Sequence, residues 1–230
     1  MCMALIRQWF FDRAFDKASW KVEMPDGQRF IIDDIMDKAM GECAHSYYFD
    51  KHLWSGFLID MTMRPTIDDP VLISISQGFK KLAKKNKWSY AYLAEFILAF
   101  TQQNITYTLD CVQFGRWNQD VWMFPVNTLV RRKGDCEDMS FVCAGIMHLC
   151  GIDCVTISLP GHIAVGVAGE GIPQGVVMYE HNGLKYTHAE TIYRIPLGKF
   201  DNTSLGDADF IADVERPDAF FIKRVKDGII

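Results

Sequence analysis

The hydrophobic pattern of the chain changes near residue 150, and this change predicts the fold class. Before residue 150, apolar residues recur every three or four positions, as they do along the buried side of a helix. After it, short apolar and β-branched runs are separated by turn residues, which is typical of strands. Helices first and strands afterwards indicate an α+β fold rather than βαβ alternation.

Four helices and five strands are expected from these patterns. An acidic cap followed by proline, Asp69-Pro70, predicts one helix start, and Ser89 predicts another. Lysines between residues 80 and 87 then lie at a helix end, where they suit the helix dipole better than a nucleic-acid site. The expected helices are 28–41, one from 70, one from 89, and 136–150. The expected strands are 152–159, 162–168, 175–180, 184–192 and 219–225.

Three further segments are less regular. Residues 5–24 alternate loosely and carry several aromatic side chains, which predicts two strands joined near residues 15–17. Residues 42–66 show no clear periodicity. Residues 104–133 are expected to form a long connection rich in aromatic and β-branched residues.

The length of 230 residues fits one domain with additions or two small domains. The candidate boundary lies near residue 66. Residues 1–66 are therefore interpreted as an N-terminal extension or small subdomain, and residues 67–230 as the main domain. A chain of this length buries roughly 70% of its unfolded surface, so it needs no disulfides to support a core.

Composition narrows the class of protein further. Hydrophobic residues make up 49% and charged residues 23%, which is ordinary for a globular chain, and the net charge is −5. A mildly acidic protein is poorly suited to bulk binding of nucleic acid or of an anionic membrane. The N-terminal residues lack the apolar stretch of a signal peptide, and no run of about 18 apolar residues occurs. We therefore expect a cytoplasmic protein with no membrane or nucleic-acid partner.

The cysteines indicate a reducing compartment and one unusual position. There are seven, an odd number, so they cannot all pair within the chain. Cys143, Cys150 and Cys154 lie in apolar stretches and are expected to pack in the core as small hydrophobic residues. Cys136 differs, because it lies between Gly-Asp and Glu-Asp at a predicted helix start.

The predicted position of Cys136 has chemical consequences. Asp135 is a suitable N-cap, which places Cys136 in the first helical turn. The partial positive charge at a helix N-terminus stabilises a thiolate, whereas the neighbouring carboxylates disfavour one. A cationic histidine nearby reverses that balance, so this cysteine requires a histidine partner.

His162 and Glu190 are the best partners for Cys136. His162 follows Pro160-Gly161 at the start of a strand, 26 positions after the cysteine, which leaves room for a helix, a strand and a turn. Its side of that strand carries small residues, which leaves room for a helix end or a substrate. Glu190, 28 positions further along, is able to orient the imidazole from an adjacent strand. Alternatives remain open: His181 and His188 for the histidine, Glu180 and Asp153 for the carboxylate.

Other common sites have little support in the sequence. No C-x-x-C pair occurs, and Cys150 and Cys154 have no matching second pair of zinc ligands. The glycine-rich phosphate-binding motifs and the G-x-S-x-G motif of serine hydrolases are missing as well. We therefore expect neither a metal nor a cofactor.

Three blocks of sequence together resemble the transglutaminase-like cysteine peptidase family, in particular its prokaryotic and archaeal members. They are PVNTL followed by GDCED, then GID followed by PGHIAVGV, then KYTHAET. The resemblance implies a papain-like transglutaminase core, with helices packed on an antiparallel sheet, over residues 67–230. It also implies that Cys136 is the nucleophile, His162 the general base and acid, and Glu190 the orienting carboxylate. By the same resemblance, Trp122 assists the oxyanion.

The expected activity is thiol-dependent acyl transfer at an amide bond of a peptide or protein. Hydrolysis is favoured, because the resemblance implies it for prokaryotic members. Transfer to an amine, as in a transglutaminase, is the main alternative, since water exclusion decides between the two. Two further hypotheses are a catalytically inactive interaction module and a cell-wall endopeptidase.

Overall fold

A computed structural model describes residues 19–43, 69–115, 122–201, 208 and 210–214. These residues combine helices with an antiparallel sheet, which confirms the α+β class. The helices are α1 Asp33–Cys43, α2 Pro70–Asn86, α3 Tyr90–Asn104, α4 Asp110–Phe114, α5 Pro125–Arg131 and α6 Cys136–Cys150. The strands are β1 Lys21–Glu23, β2 Arg29–Ile31, β3 Thr106–Tyr107, β4 Lys133–Gly134, β5 Asp153–Leu159, β6 His162–Ala168, β7 Met178–His181, β8 Leu184–Ala189 and β9 Phe210–Asp213.

The main sheet has five strands in the order β7-β8-β6-β5-β9. All neighbouring strands are antiparallel, and β6 pairs with β8 so that Val165 lies opposite Ala189. Helix α6 packs on one face of this sheet, where its apolar residues share the main core with Val165 and Val167. On the other face a smaller cluster holds Ile157 and Tyr186. The start of β6 and the end of β8 therefore lie beside each other.

The two long helices α2 and α3 begin where the sequence predicts. The Asp69 carboxylate accepts the Val71 N–H at 2.7 Å, and Ser89 caps α3 by accepting the Tyr92 N–H at 3.2 Å. Lys87 ends α2 in the left-handed region, with φ 56°. Both helices contribute aromatic rings to the core. None of the helices in the described ranges combines the length and apolar content that a bilayer crossing requires.

The predicted helix over 28–41 is wrong at its start. The structure places strand β2 there, paired with β1 around a turn in which Gly27 has φ 83°. Helix α1 begins only at Asp33, whose carboxylate accepts the Trp20 N–H. Cross-strand pairing therefore overrides the local helical spacing of the first residues.

The residues before α1 belong to the same core as the helices that follow. The Trp20 ring stacks on Phe100 of α3 at 5.9 Å, and it is buried in the main cluster. The second of the two strands predicted over residues 5–24 corresponds to β1. The first strand, the irregular segment after residue 43 and the boundary near residue 66 lie outside the described residues.

The expected long connection over 104–133 contains regular structure. Strand β3 pairs in parallel with β4, so that Tyr107 lies opposite Gly134. Between them, α4 and α5 form short helices, and Pro125 begins α5. Elements of two to seven residues are too short for their periodicity to stand out in the sequence.

Strands β5 and β6 agree with the prediction, whereas β7 begins at Met178 rather than at 175 and β8 ends at Ala189 rather than at 192. Strands β7 and β8 meet at a turn in which Asn182 and Gly183 both have positive φ, which suits a tight hairpin. Strand β9 is an additional strand that the pattern did not predict. The strand expected at 219–225 lies outside the described residues.

Candidate active site

Cys136 is the first residue of α6, as predicted, and it is partly exposed. Asp135 is the N-cap and forms a capping box with Asp138, whose carboxylate accepts the Asp135 N–H at 3.4 Å. The second oxygen of Asp138 accepts the Met123 N–H at 2.7 Å. These bonds fix the helix start that carries the thiol.

Gly134 explains why a glycine precedes the Asp-Cys pair. A β-carbon at this position would lie 2.6 Å from the Asp138 β-carbon and 3.0 Å from a methyl group of Thr128. Real β-carbons do not approach other atoms that closely. The glycine is therefore required because β4 and α5 pass directly against the first turn of α6.

His162 and Glu190 lie in direct contact. The His162 Nε2 atom is 3.0 Å from Glu190 Oε2, and the side chains are 11% and 1% exposed. The pairing of β6 with β8 produces this contact, because it brings the start of one strand beside the end of the other. The alternative carboxylates lie elsewhere: Glu180 is exposed on β7, and Asp153 accepts the Tyr186 hydroxyl at 3.1 Å.

The charges of this group support one another. Burial by itself lowers the pKa of His162, but hydrogen bonds to Cys136 and Glu190, together with their charges, raise it to about 9. Burial by itself raises the pKa of Glu190, but hydrogen bonds from His162 and His188, with the His162 charge, lower it to about 2. The pair is therefore an imidazolium and a carboxylate at neutral pH. Because Nε2 faces Glu190, Nδ1 is the ring nitrogen left for the thiol.

Several donors hold the Glu190 side chain and its backbone. The Ile192 N–H donates to Glu190 Oε1 at 3.1 Å, and His188 Nε2 lies 3.3 Å from Oε2. The Gln102 side chain of α3 donates to the Glu190 carbonyl at 2.8 Å. The carboxylate is thus held from both of its oxygens.

Carboxylates also surround the thiol. Cys136 Sγ donates to Glu137 Oε2 at 3.1 Å, and single oxygens of Asp110, Asp135 and Glu137 lie within 4.8 Å of one another. This is the group among the described residues that has the spacing of a cation site, and its oxygen ligands suit calcium or magnesium rather than zinc. Burial and the charge of Asp135 raise the pKa of Asp138. The Cys136 thiol therefore lies beside a cluster of carboxyl groups.

Removing the Glu137 charge is expected to make Cys136 more reactive. A carboxylate that accepts the S–H proton stabilises the thiol and repels the thiolate. Glu137→Gln should therefore raise the rate of alkylation by iodoacetamide at pH 7 roughly threefold to tenfold. Asp153→Asn is the matched control, because that carboxylate lies away from the site and should leave the rate unchanged. A slower rate in Glu137→Gln would mean that this carboxylate assists the thiol rather than opposing it.

Trp122 lies before α5 and directly precedes Met123, whose N–H donates to the Asp138 carboxylate. Its ring is buried and packs against Phe141 of α6 at 5.8 Å. The role of Trp122 in binding an oxyanion stays a prediction.

Tyr107 lies near the site, which the sequence did not predict. Burial, followed by the charges of Cys136 and Asp135, raises the pKa of its phenol to about 12. The parallel pairing of β3 with β4 brings it there, and no local sequence pattern signals that pairing.

Three other cysteines pack as expected. Cys143 and Cys154 are fully buried between α6 and the sheet, and Cys150 is partly buried. Burial raises the pKa of Cys143 to about 12 and of Cys150 to about 11, and it raises that of Cys154 well above its usual value. These thiols are therefore protonated at neutral pH and unreactive.

No model of a known protein family matches this chain, and no curated protein matches it either. The resemblance to transglutaminase-like peptidases therefore stays a hypothesis carried by the three sequence blocks.

Proposed function

We propose that the protein is a thiol-dependent acyl-transfer enzyme that hydrolyses amide bonds, with Cys136, His162 and Glu190 as its triad. The observation that carries the proposal is the His162–Glu190 contact of 3.0 Å, with the pKa of His162 raised by both Cys136 and Glu190. A nucleophile, a base beside it and a group that orients the base are the parts such chemistry requires. A papain-like, transglutaminase-like core is proposed with it, because α6 presents the thiol at its start and packs on an antiparallel sheet.

The proposed first step forms a thioester. The Cys136 thiolate attacks the carbonyl carbon of the amide, and the electron pair of the C=O bond moves to oxygen. His162 donates its proton to the leaving nitrogen as the C–N bond breaks, and an amine departs. The Cys136 N–H is a suitable donor to the oxyanion, because first-turn N–H groups have no intrahelical partner. Trp122 is the candidate second donor.

The proposed second step regenerates the enzyme. His162 takes a proton from water, the hydroxide oxygen bonds to the thioester carbon, and the C–S bond breaks to release a carboxylic acid. Glu190 keeps the imidazole in position and stabilises its charged form through both steps. If an amine replaces water, the same chemistry produces a new amide, which is the activity of a transglutaminase.

Selective acylation of Cys136 is the expected outcome of a direct test. Wild-type protein incubated with p-nitrophenyl acetate should release nitrophenol in a burst and carry an acetyl thioester on Cys136. Cys136→Ala should show neither, because burial raises the pKa values of Cys143, Cys150 and Cys154 and keeps these thiols protonated. Mass spectrometry of peptides locates the acetyl group, and Cys111→Ala is the matched control that should behave as wild type.

Two further readouts separate the alternatives. Incorporation of dansylcadaverine into casein, dependent on Cys136, would replace hydrolysis by transamidation. If all accessible thiols of wild-type protein are acylated equally, and those of Cys136→Ala are acylated to the same extent, an interaction module without catalysis is favoured instead. Hydrolysis of casein that is lost in Cys136→Ala supports the proposal as stated.

A further inference from the structure

A second histidine, His188, contacts the Glu190 carboxylate of the proposed triad. His188 Nε2 lies 3.3 Å from Glu190 Oε2, the same oxygen that His162 Nε2 meets at 3.0 Å. His188 is 1% exposed, so substrate and bulk water do not reach its ring. His188 is the residue of β8 that lies opposite Gly166 of β6.

The surroundings of His188 fix the position of its ring. The Tyr179 hydroxyl of β7 is 3.2 Å from Nδ1, and the ring stacks on Phe200 with centroids 4.2 Å apart and planes 13° apart. Burial and the Glu190 charge raise the pKa of Tyr179 to about 12, so its phenol keeps its proton beside Nδ1. Because the ionised Glu190 carboxylate only accepts hydrogen bonds, Nε2 carries a proton and donates to it.

We propose that His188 is a positioning residue that aims the Glu190 carboxylate at His162. The inference rests on the proposed function, since it assigns a supporting residue to the same triad. His188 donates from Nε2 to the carboxylate, and its buried ring does not contact the substrate. With the Ile192 N–H bond to Oε1 at 3.1 Å, it restricts rotation of the carboxylate, so that Oε2 stays in line with the His162 ring.

Simple filling of the core is the competing explanation, and the hydrogen-bonding pattern argues against it. A residue that only fills space between Phe200 and Tyr179 needs no donor toward a carboxylate. Here the Tyr179 hydroxyl occupies Nδ1, and the charged groups that face the ring are Glu190 directly and His162 beyond it. The structure thus aims a ring nitrogen of His188 at the carboxylate, as a positioning role requires.

The pKa of His162 tests the proposal, because a merely structural residue would not change it. His188→Phe keeps a ring for Phe200 to stack on but removes the donor. It should lower the pKa of His162, measured by NMR titration of the full chain, by roughly 0.5 to 1. It should also slow alkylation of Cys136 at pH 7 about threefold or more. His188→Gln returns an N–H donor near Nε2, so it should restore most of both values.

Further variants keep the test decisive. Tyr179→Phe should shift the His162 pKa in the same direction by a smaller amount, and it stands in for His188→Phe if that variant does not fold. His181→Phe, on β7 away from Glu190, is the matched control. A His162 pKa that stays unchanged or rises in folded His188→Phe would overturn the proposal. The titration does not depend on turnover, so a lost proposed function would appear separately, as missing acylation of Cys136 in wild-type protein.

Discussion

Replacing His162 by alanine is expected to slow the alkylation of Cys136 by iodoacetamide at pH 7 roughly tenfold to thirtyfold. An ordinary thiol is only a few per cent thiolate at that pH, whereas a thiol paired with an imidazolium is largely ionised. The lower intrinsic nucleophilicity of a stabilised thiolate reduces the full gain, which gives the lower limit of this range. Hydrolysis should fall further, by about 10³-fold or more, because the proton donor to the leaving amine is lost as well.

The pH dependence of this effect follows from the pKa of His162. Burial would lower it, but Cys136 and Glu190 raise it to about 9, so the imidazolium is present below that pH and lost above it. The advantage of wild type over His162→Ala should therefore be largest near neutral pH and disappear as pH rises through about 9. Any stability that the imidazolium gives the fold is likewise full below its unfolded pKa of about 6.5 and lost over the same rise.

Peptide mass spectrometry at a series of pH values measures the alkylation rates, with His181→Ala as a matched histidine control. Equal rates in wild type and His162→Ala at pH 7 would show that the thiol does not depend on this histidine. A difference that persists unchanged at about pH 10 would point to altered access rather than to an ion pair.

Helix boundaries were predictable from the sequence because they depend on neighbouring residues. Asp69 and Ser89 accept N–H groups two or three positions away, and the capping box at Asp135 lies within four residues. Such bonds leave a local signature in the residue types at each end. Gly151 ends α6 with φ 84° for the same reason, since this conformation favours glycine.

Elements that depend on distant pairing were not predictable. Strand β3 exists because Thr106 lies beside Lys133, and β2 exists because Phe30 lies opposite Val22. In both cases the local spacing indicated something else, a connection or a helix. Pairing energy that arises between separate segments leaves little trace in either segment alone.

The contact between His162 and Glu190 was predictable from the sequence, but its surroundings were not. The helix start singled out Cys136, and the two strands predicted after it allowed His162 and Glu190 to meet. Spacing alone did not separate Glu190 from Asp153, because that choice depends on which strands pair. The small side of β6 was also misjudged: a β-carbon at Gly166 would lie 2.9 Å from Ile157, so that side is filled, and α6 packs on the opposite one.

Replacing Glu190 by glutamine should lower the rate of amide or ester hydrolysis by roughly 10²- to 10⁴-fold while Cys136 stays in place. The neutral amide keeps the size of the side chain but no longer stabilises the His162 imidazolium, and it can present an N–H where Nε2 requires an acceptor. The pKa of His162 should fall, because the charge and the hydrogen bond of Glu190 are among the causes that raise it. Glu180→Gln, on exposed β7, is the matched control for charge.

The same variant should lose stability in a defined pH window. Burial raises the pKa of Glu190, but hydrogen bonds from His162 and His188 and the His162 charge lower it to about 2, below the unfolded value of about 4.3. Its stabilisation is therefore complete above pH 4.3 and lost as pH falls through about 2, on the order of 3 kcal/mol at neutral pH. Urea unfolding of wild type and Glu190→Gln at pH 7 and pH 3 measures this difference. If the two proteins unfold alike at pH 7, Glu190 does not carry a stabilised charge, and the role assigned to it fails with that result.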